Sequence, residues 1–301
     1  MLQSIPVEKL LFVGILAMVR TNASKGRSNI AQGLATSIVV CLLALGCVAR
    51  LFAVSLHFSP LTFSIQARPG EVVNKTFTLT LPQEAQTTQF RAHIEDWWRS
   101  EDNRQTFYAP PGTLRRSCGL WCTINPVESS VKPGETLTIR LSVRVPDNVE
   151  PGGYWAALTV DEVPDPLAPK PNGVAMVFRT SVSVGLFVEV SPCKRSARLV
   201  GARLDGDKIA VRMCNDGNVP LRVTGMVEFY KPGDDKPTAV AKIGAEPLLP
   251  EPTNVCEYSV ALPAPDILPS GKYKVRIIID VGLDFLMGAE KELDITKPDS
   301  S

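Results

Sequence analysis

The chain has 301 residues, room for two β domains of ordinary size, because single β-sandwiches usually stop at about 100–150 residues. Lysine plus arginine number 32 against 31 aspartate plus glutamate, which excludes the bulk basic excess that draws proteins to nucleic acid or anionic membranes. With 25 prolines and 21 glycines among many valines and threonines, the composition favours short strands and turns over helices.

The first 55 residues read as a signal or anchor region. Residues 10–19 are apolar, a basic polar stretch with Arg20, Lys25 and Arg27 follows, and a second apolar run covers residues 38–49 before Arg50 interrupts it. That run matches the apolar centre of a signal peptide and falls short of the roughly 20 residues that span a bilayer. Cleavage after Ala49 or Ala53 is expected, and taking Met18 as the start makes the basic stretch an ordinary leader. In the competing reading residues 38–56 stay uncleaved as a membrane anchor, with Arg50 snorkelling to the surface at a cost of about 2.5 kcal/mol or less. Either way the rest of the chain is exported, to the periplasm or the cell surface, as part of the cell envelope.

Cys41 and Cys47 belong to that region, which leaves five cysteines in the exported part. In an oxidising compartment an odd number leaves at least one thiol without a partner in the same chain. Two pairings suggest themselves: Cys118 with Cys122, closing a tight local loop, and Cys214 with Cys256, bridging strands of the second half. A metal centre needs about four well-spaced ligands, and with only His57 and His93 to add, none is expected.

From Pro60 onward apolar and polar residues alternate with the period of half-buried strands. Phe77, Leu79 and Leu81 share one face; Leu137, Ile139, Leu141, Val143 and Val145 repeat the device. A third strand is expected over residues 91–98, ending in Asp96, Trp97 and Trp98. The longest alternation runs from Met176 to Val190, after a proline-rich loop at residues 163–172, and leads to Pro192. Strands with one apolar face need a second sheet to cover it, so the expected fold is all-β: two tandem immunoglobulin-like β-sandwiches behind the export segment. The expected domains are residues 56–190 and 191–297, hinged near Val190, with a polar tail at 298–301.

An internal repeat supports the duplication. VRVP at residues 143–146 and EPGGYWAAL at 150–158 return as VALP at 260–263 and PSGKYKVRI at 269–277, with Tyr154 and Tyr273 119 residues apart. Asn215, Asp216, Gly217 and Asn218 read as a turn, since one aspartate is too few for a calcium loop.

No enzyme chemistry is expected. His93 sits in a strand pattern without a nucleophile motif, and the neighbours Glu95 and Asp96 point to opposite faces of a strand. Glu101 and Asp102 lie in a polar turn. No G-x-S-x-G, G-x-x-x-x-G-K or H-E-x-x-H motif occurs. No catalytic residue and no cofactor follow, and Trp97, Trp98, Trp121 and Trp155 read as core or rim aromatics.

Residues 59–65 (SPLTFSI), 90–97 (FRAHIEDW), 107–111 (FYAPP) and 131–134 (VKPG) before a strand have an order that resembles periplasmic pilus-assembly chaperones of the PapD type. The resemblance covers residues 60–192 and implies two immunoglobulin-like domains, a pilin-like or other surface protein as partner, and binding by strand addition. It also implies an arginine and a lysine in the cleft between the domains, but Thr62 and Gly185 stand at those places. Recognition is therefore expected along the edge of the strand at residues 176–190, through Arg179, Ser181, Ser183, Gly185 and Phe187. Residues 131–154 are equally similar to immunoglobulin-like domains of bacterial cell-surface and cell-wall proteins, which gives a structural or adhesive role as the alternative.

Overall fold

The computed structural model describes residues 56–108, 110–163 and 180–296. The expectations for residues 1–55, for the proline-rich loop beyond Val163, for Arg179 and the start of the long strand, and for the tail at 298–301 lie outside the described residues.

Among the described residues seventeen strands follow one another. The first half holds β1 (His57–Ser59), β2 (Thr62–Ala67), β3 (Val72–Thr80), β4 (Thr88–Arg99), β5 (Gln105–Tyr108), β6 (Cys122–Asn125), β7 (Glu128–Val131), β8 (Thr136–Arg144), β9 (Gly152–Val163) and β10 (Ser181–Val190). The second half holds β11 (Ala197–Asp205), β12 (Lys208–Asn215), β13 (Leu221–Tyr230), β14 (Ala239–Leu248), β15 (Val255–Ala261), β16 (Gly271–Asp280) and β17 (Met287–Ile295). They form two β-sandwiches of the immunoglobulin-like kind. In the first, a sheet ordered β1-β3-β8-β6 faces one ordered β2-β10-β9-β4-β5, with β7 added to β4. In the second, β11-β12-β15 faces β14-β13-β16-β17.

The alternations read in the sequence become the walls of the first core. β3 and β8 pair antiparallel, with Phe77 opposite Ile139 and Leu79 opposite Leu137, and all four are buried. Val184, Leu186 and Val188 of β10 close the core from the other sheet. The second core gathers around Phe229, Ile209, Val211, Met213 and Tyr258.

The repeat is structural as well as sequential. The Tyr154 hydroxyl donates to the Glu150 carbonyl at 2.9 Å, and the Tyr273 hydroxyl donates to the Pro269 carbonyl at 2.9 Å. Each ties the start of a strand to the turn before it, a device common in immunoglobulin-like sandwiches. The expected turn at Asn215 also forms. The buried Asn215 amide donates to the carbonyls of Val219 and Leu248, and its oxygen accepts from the Gly217 N–H, each at 2.9 Å.

The two sandwiches touch through more than their linker. β9 is buried along both faces from Gly152 to Val160, because its inner side chains fill the core while Trp155 and Ala157 pack outward with Trp97 and Leu249. At Gly153 a Cβ would stand 2.3 Å from a ring carbon of Pro220, so only glycine lets the second sandwich approach this closely. Its N–H donates to the Asn218 carbonyl at 2.7 Å. The hairpin between β4 and β5 reaches across as well: the Glu101 carbonyl accepts from the Glu257 N–H at 2.7 Å, and its carboxylate pairs with Arg212 at 2.8 Å.

Candidate functional site

β10 has two faces and two edges, and the site is built from one of each. Its even-numbered residues point into the core, which turns Ser181, Ser183, Gly185, Phe187 and Glu189 to the opposite face. Antiparallel pairing with β9 sets Ser181 across from Asp161, Ser183 from Thr159, Gly185 from Ala157 and Phe187 from Trp155.

The edges differ along the strand. From Gly185 to Val190 the edge away from β9 is occupied by β2, which runs parallel from Thr62 to Ala67. This corrects the expectation of edge recognition along the whole strand: a residue paired on both sides has no backbone groups left to offer. Among the described residues no strand pairs with Ser181–Val184 on that side. The Glu162 N–H donates to the Thr180 carbonyl at 2.9 Å, so the alternation of an antiparallel ladder turns the backbone groups of Ser181 and Ser183 outward, away from β9.

Polar contacts brace the face beside this open half. The Ser181 hydroxyl donates to Asp161 at 2.6 Å, and the Ser183 and Thr159 hydroxyls lie 2.8 Å apart. Thr159 also donates to the buried Glu95 carboxylate. The ring of His93 lies between two acids, Nδ1 at 3.4 Å from Asp161 and Nε2 at 3.9 Å from Glu95. Glu95 and Asp96 do point to opposite sides, and Asp96 has a purely organising part: it accepts from the N–H groups of Gly112 and Leu114 at 3.0 and 2.9 Å and from the Ser117 hydroxyl.

Toward its C-terminal end the same face opens into a cleft of about 570 Å³ between the sandwiches. Trp97, Phe107 and Phe187 line the first sandwich's side, and Pro220, Arg222 and Pro247 line the other. Trp97 meets Phe187 edge-on, with ring centres 5.8 Å apart, and its indole N–H donates to the Ala156 carbonyl at 3.0 Å. Thr62 and Gly185 stand directly opposite in the parallel ladder, and both line the cleft. A Cβ on Gly185 would come within 3.0 Å of the Phe187 ring, so a side chain there would displace the aromatic floor.

Three arginines border the cleft. Arg99 pairs with Glu246 at 2.7 Å and Arg195 pairs with Glu189, whereas Arg222 is exposed and forms no ion pair among the described residues. Arg68 lines a separate hollow with Glu71 and Cys193 and stays out of the cleft. Arg99 and Arg222 carried no signal in the sequence and Phe107 entered only with the 107–111 segment, because each reaches the cleft through pairing or packing between distant segments.

All five cysteines of the described residues are free thiols. The expected Cys214–Cys256 bridge is ruled out by register: Cys256 lies opposite Met213 and shares its core-facing side, so Cys214 points to the other face of the sheet. Cys118 and Cys122 do lie together, with the Cys122 thiol 3.2 Å from the Cys118 carbonyl. Among the described residues no three His, Cys, Asp or Glu side chains form a metal-holding group, and no helix is long and apolar enough to cross a membrane.

No family model matches the chain, and no curated protein sequence does. Solved structures are similar to it. The class 5 fimbriae chaperone CfaA is 11% identical, covers 79% of this chain and 99% of its own, and has a TM-score of 0.44. The Pseudomonas aeruginosa CupB2 chaperone is 15% identical over 80% of this chain and 100% of its own, with a TM-score of 0.42. The E. coli chaperone DraB is 16% identical over 80% and 99%, with a TM-score of 0.39. All three carry the name of chaperone, CfaA that of a fimbriae chaperone.

Proposed function

We propose that the chain is a non-enzymatic binding protein acting outside the cytoplasm, with a chaperone-like part in assembling pilus or other surface proteins. It holds its partner by strand addition to the Ser181–Val184 half of β10. The observation that carries this reading is an uncharged half-edge with outward-turned backbone groups at Ser181 and Ser183, adjoining an aromatic-floored cleft. A strand laid there makes main-chain hydrogen bonds, which give affinity, and places alternate side chains beside Ser181 and Ser183, which gives selectivity. Residues 56–190 supply the edge and the cleft floor, residues 191–297 supply the opposite wall, and residues 1–55 direct export.

Thr62 and Gly185 offer no cation at the base of the cleft, so binding leans on backbone pairing and apolar contact rather than on a gripped carboxylate. Affinity then changes by less than about threefold between low and physiological salt, because such contacts are little screened. Proline at Ser183 tests the reading. Its N–H faces the open edge and not β9, so Ser183→Pro removes a donor to the incoming strand and spares the existing ladder. Measured against a pilin-like subunit whose own sandwich lacks one strand, the variant keeps its circular dichroism and loses at least about tenfold in affinity, roughly 1.4 kcal/mol. A folded variant that binds as tightly as the original rejects strand addition at this edge.

A further inference from the structure

Cys118 and Cys122 bracket a single 3-10 turn, Gly119–Trp121. The turn is anchored at its start. The Cys118 N–H donates to the Trp155 carbonyl at 3.2 Å, and the Trp155 N–H donates back to the Arg116 carbonyl at 2.9 Å, so this stretch runs as an extra rung along β9. The Ser117 hydroxyl bonds the Asp96 carboxylate and accepts from the Gly119 N–H at 2.9 Å.

The Cys122 thiol reaches back across this turn to the Cys118 carbonyl at 3.2 Å. Their accessibility is unequal: Cys118 is fully buried and Cys122, at the start of β6, is partly exposed. Burial, followed by the Cys122 thiol, pushes the Cys118 thiol well up from its ordinary value. The other described cysteines have no such neighbour. Cys193 reaches the Val190 carbonyl at 3.6 Å, Cys214 reaches Asp216 at 3.3 Å, and Cys256 reaches Asn103 at 3.3 Å.

The loop that holds this turn also clasps the second sandwich. Arg115 donates through two nitrogens to Glu251, at 3.2 and 2.9 Å, and through a third contact to Glu150 at 2.9 Å. Arg116 stacks over the Tyr154 ring, 5.1 Å from its centre, and donates to the Pro151 carbonyl at 3.1 Å. A covalent link between residues 118 and 122 would therefore fix the foot of the segment that joins the two sandwiches.

We propose that Cys118 and Cys122 are a redox pair that closes by exchange with an external disulfide, that of a thiol–disulfide oxidoreductase or of a small dithiol oxidant, and so staples the Arg115 clasp. The Cys122 thiol loses its proton and attacks the oxidant's disulfide. That S–S bond breaks, one half leaves as a thiol carrying a proton, and the other half stays on Cys122. Cys118 then loses its proton, attacks the Cys122 sulfur and expels the second half as a thiol. Two electrons and two protons pass from the pair to the oxidant. Cys122 reacts first because it alone is accessible, and buried Cys118 acts as the resolving thiol. The ring so closed is short and removes little chain entropy, so the bond acts on the local loop rather than on global stability.

The test uses the purified full-length chain and oxidised glutathione, with maleimide capping in denaturant and peptide mapping. In the wild type, Cys118 and Cys122 lose maleimide reactivity together and appear in one disulfide-linked peptide without bound glutathione. Cys118→Ser leaves glutathione on Cys122, and Cys122→Ser leaves Cys118 unmodified. Oxidation also slows hydrogen exchange over residues 112–122. Glutathione persisting on wild-type Cys122, both thiols staying free, or a link from either to another cysteine overturns the pair. Unchanged exchange in the oxidised protein overturns the staple. If a serine variant does not fold, the wild-type peptide map decides alone. Because no partner protein enters the experiment, its failure leaves the strand-addition reading standing, and the reverse also holds.

Discussion

β10 and β17 hold matching places in the two sandwiches, each following the strand that the tyrosine starts, yet they treat their outer edges differently. Among the described residues β17 pairs with β16 alone, and it exposes Glu290, Lys291, Glu292 and Asp294 along its length, with Glu290 tied to Lys274 at 3.0 Å and to Arg276. Charges on an open edge discourage another strand from docking, since docking would strip them of water. β10 is closed by β2 over its second half and carries Ser181, Val182, Ser183 and Val184 over its open first half, with no charge among them. One edge is defended and the other is left available. On the reading proposed above, four side chains separate a terminal strand from a docking strand.

The largest effects test whether the sandwiches behave as equals. Phe77 and Phe229 are both fully buried, one in each core. Phe77→Ala and Phe229→Ala should each cost about 3–5 kcal/mol of unfolding free energy. Followed by urea titration, each variant should still unfold in one transition, because Trp155, Gly153 and Glu101 join the two halves. Two separated transitions in either variant would mean that the shared contacts are too weak to couple them.

An intermediate effect addresses the edges directly. Ser183→Lys gives β10 the defence that β17 already has, and should weaken partner binding by about tenfold or more while leaving stability within about 0.5 kcal/mol. The reverse change, Lys291→Thr with Glu292→Thr, should make β17 adhesive and appear as self-association in sedimentation. A monomer as clean as the original would show that charge is not what keeps β17 free.

The smallest effect tests the repeat. Tyr154→Phe and Tyr273→Phe each remove one hydroxyl bond of the same length to a carbonyl four residues earlier. Each should cost about 0.5–1.5 kcal/mol, and the two losses should agree. A clear excess at Tyr154 would assign the surplus to its extra contacts, the Trp121 ring at 4.5 Å and the Arg116 guanidinium.

Much of the fold was legible along the chain. The alternations at residues 77–81 and 137–145 and the matched tyrosine motifs are local patterns, and a side chain's choice between core and solvent follows from its own chemistry and from the period of two. The turn at Asn215 was legible for the same reason. The edges were not. Whether Ser183 or Gly185 has a strand beside it depends on β2, more than 100 residues earlier in sequence, and on a parallel register that no local pattern encodes. Cys214 and Cys256 also looked suited to a bridge until the ladder set them on opposite faces, a shift of one residue that reverses the direction of a side chain. The cleft belongs wholly to the tertiary structure: Phe107, Arg99 and Arg222 come from three strands, and only the close approach at Gly153 brings the second sandwich near enough to make a wall. Sequence determined which residues are buried and where strands begin, because those are properties of single segments. The packing of distant segments decided which backbone groups remain unpaired, and the proposed binding edge follows from that choice.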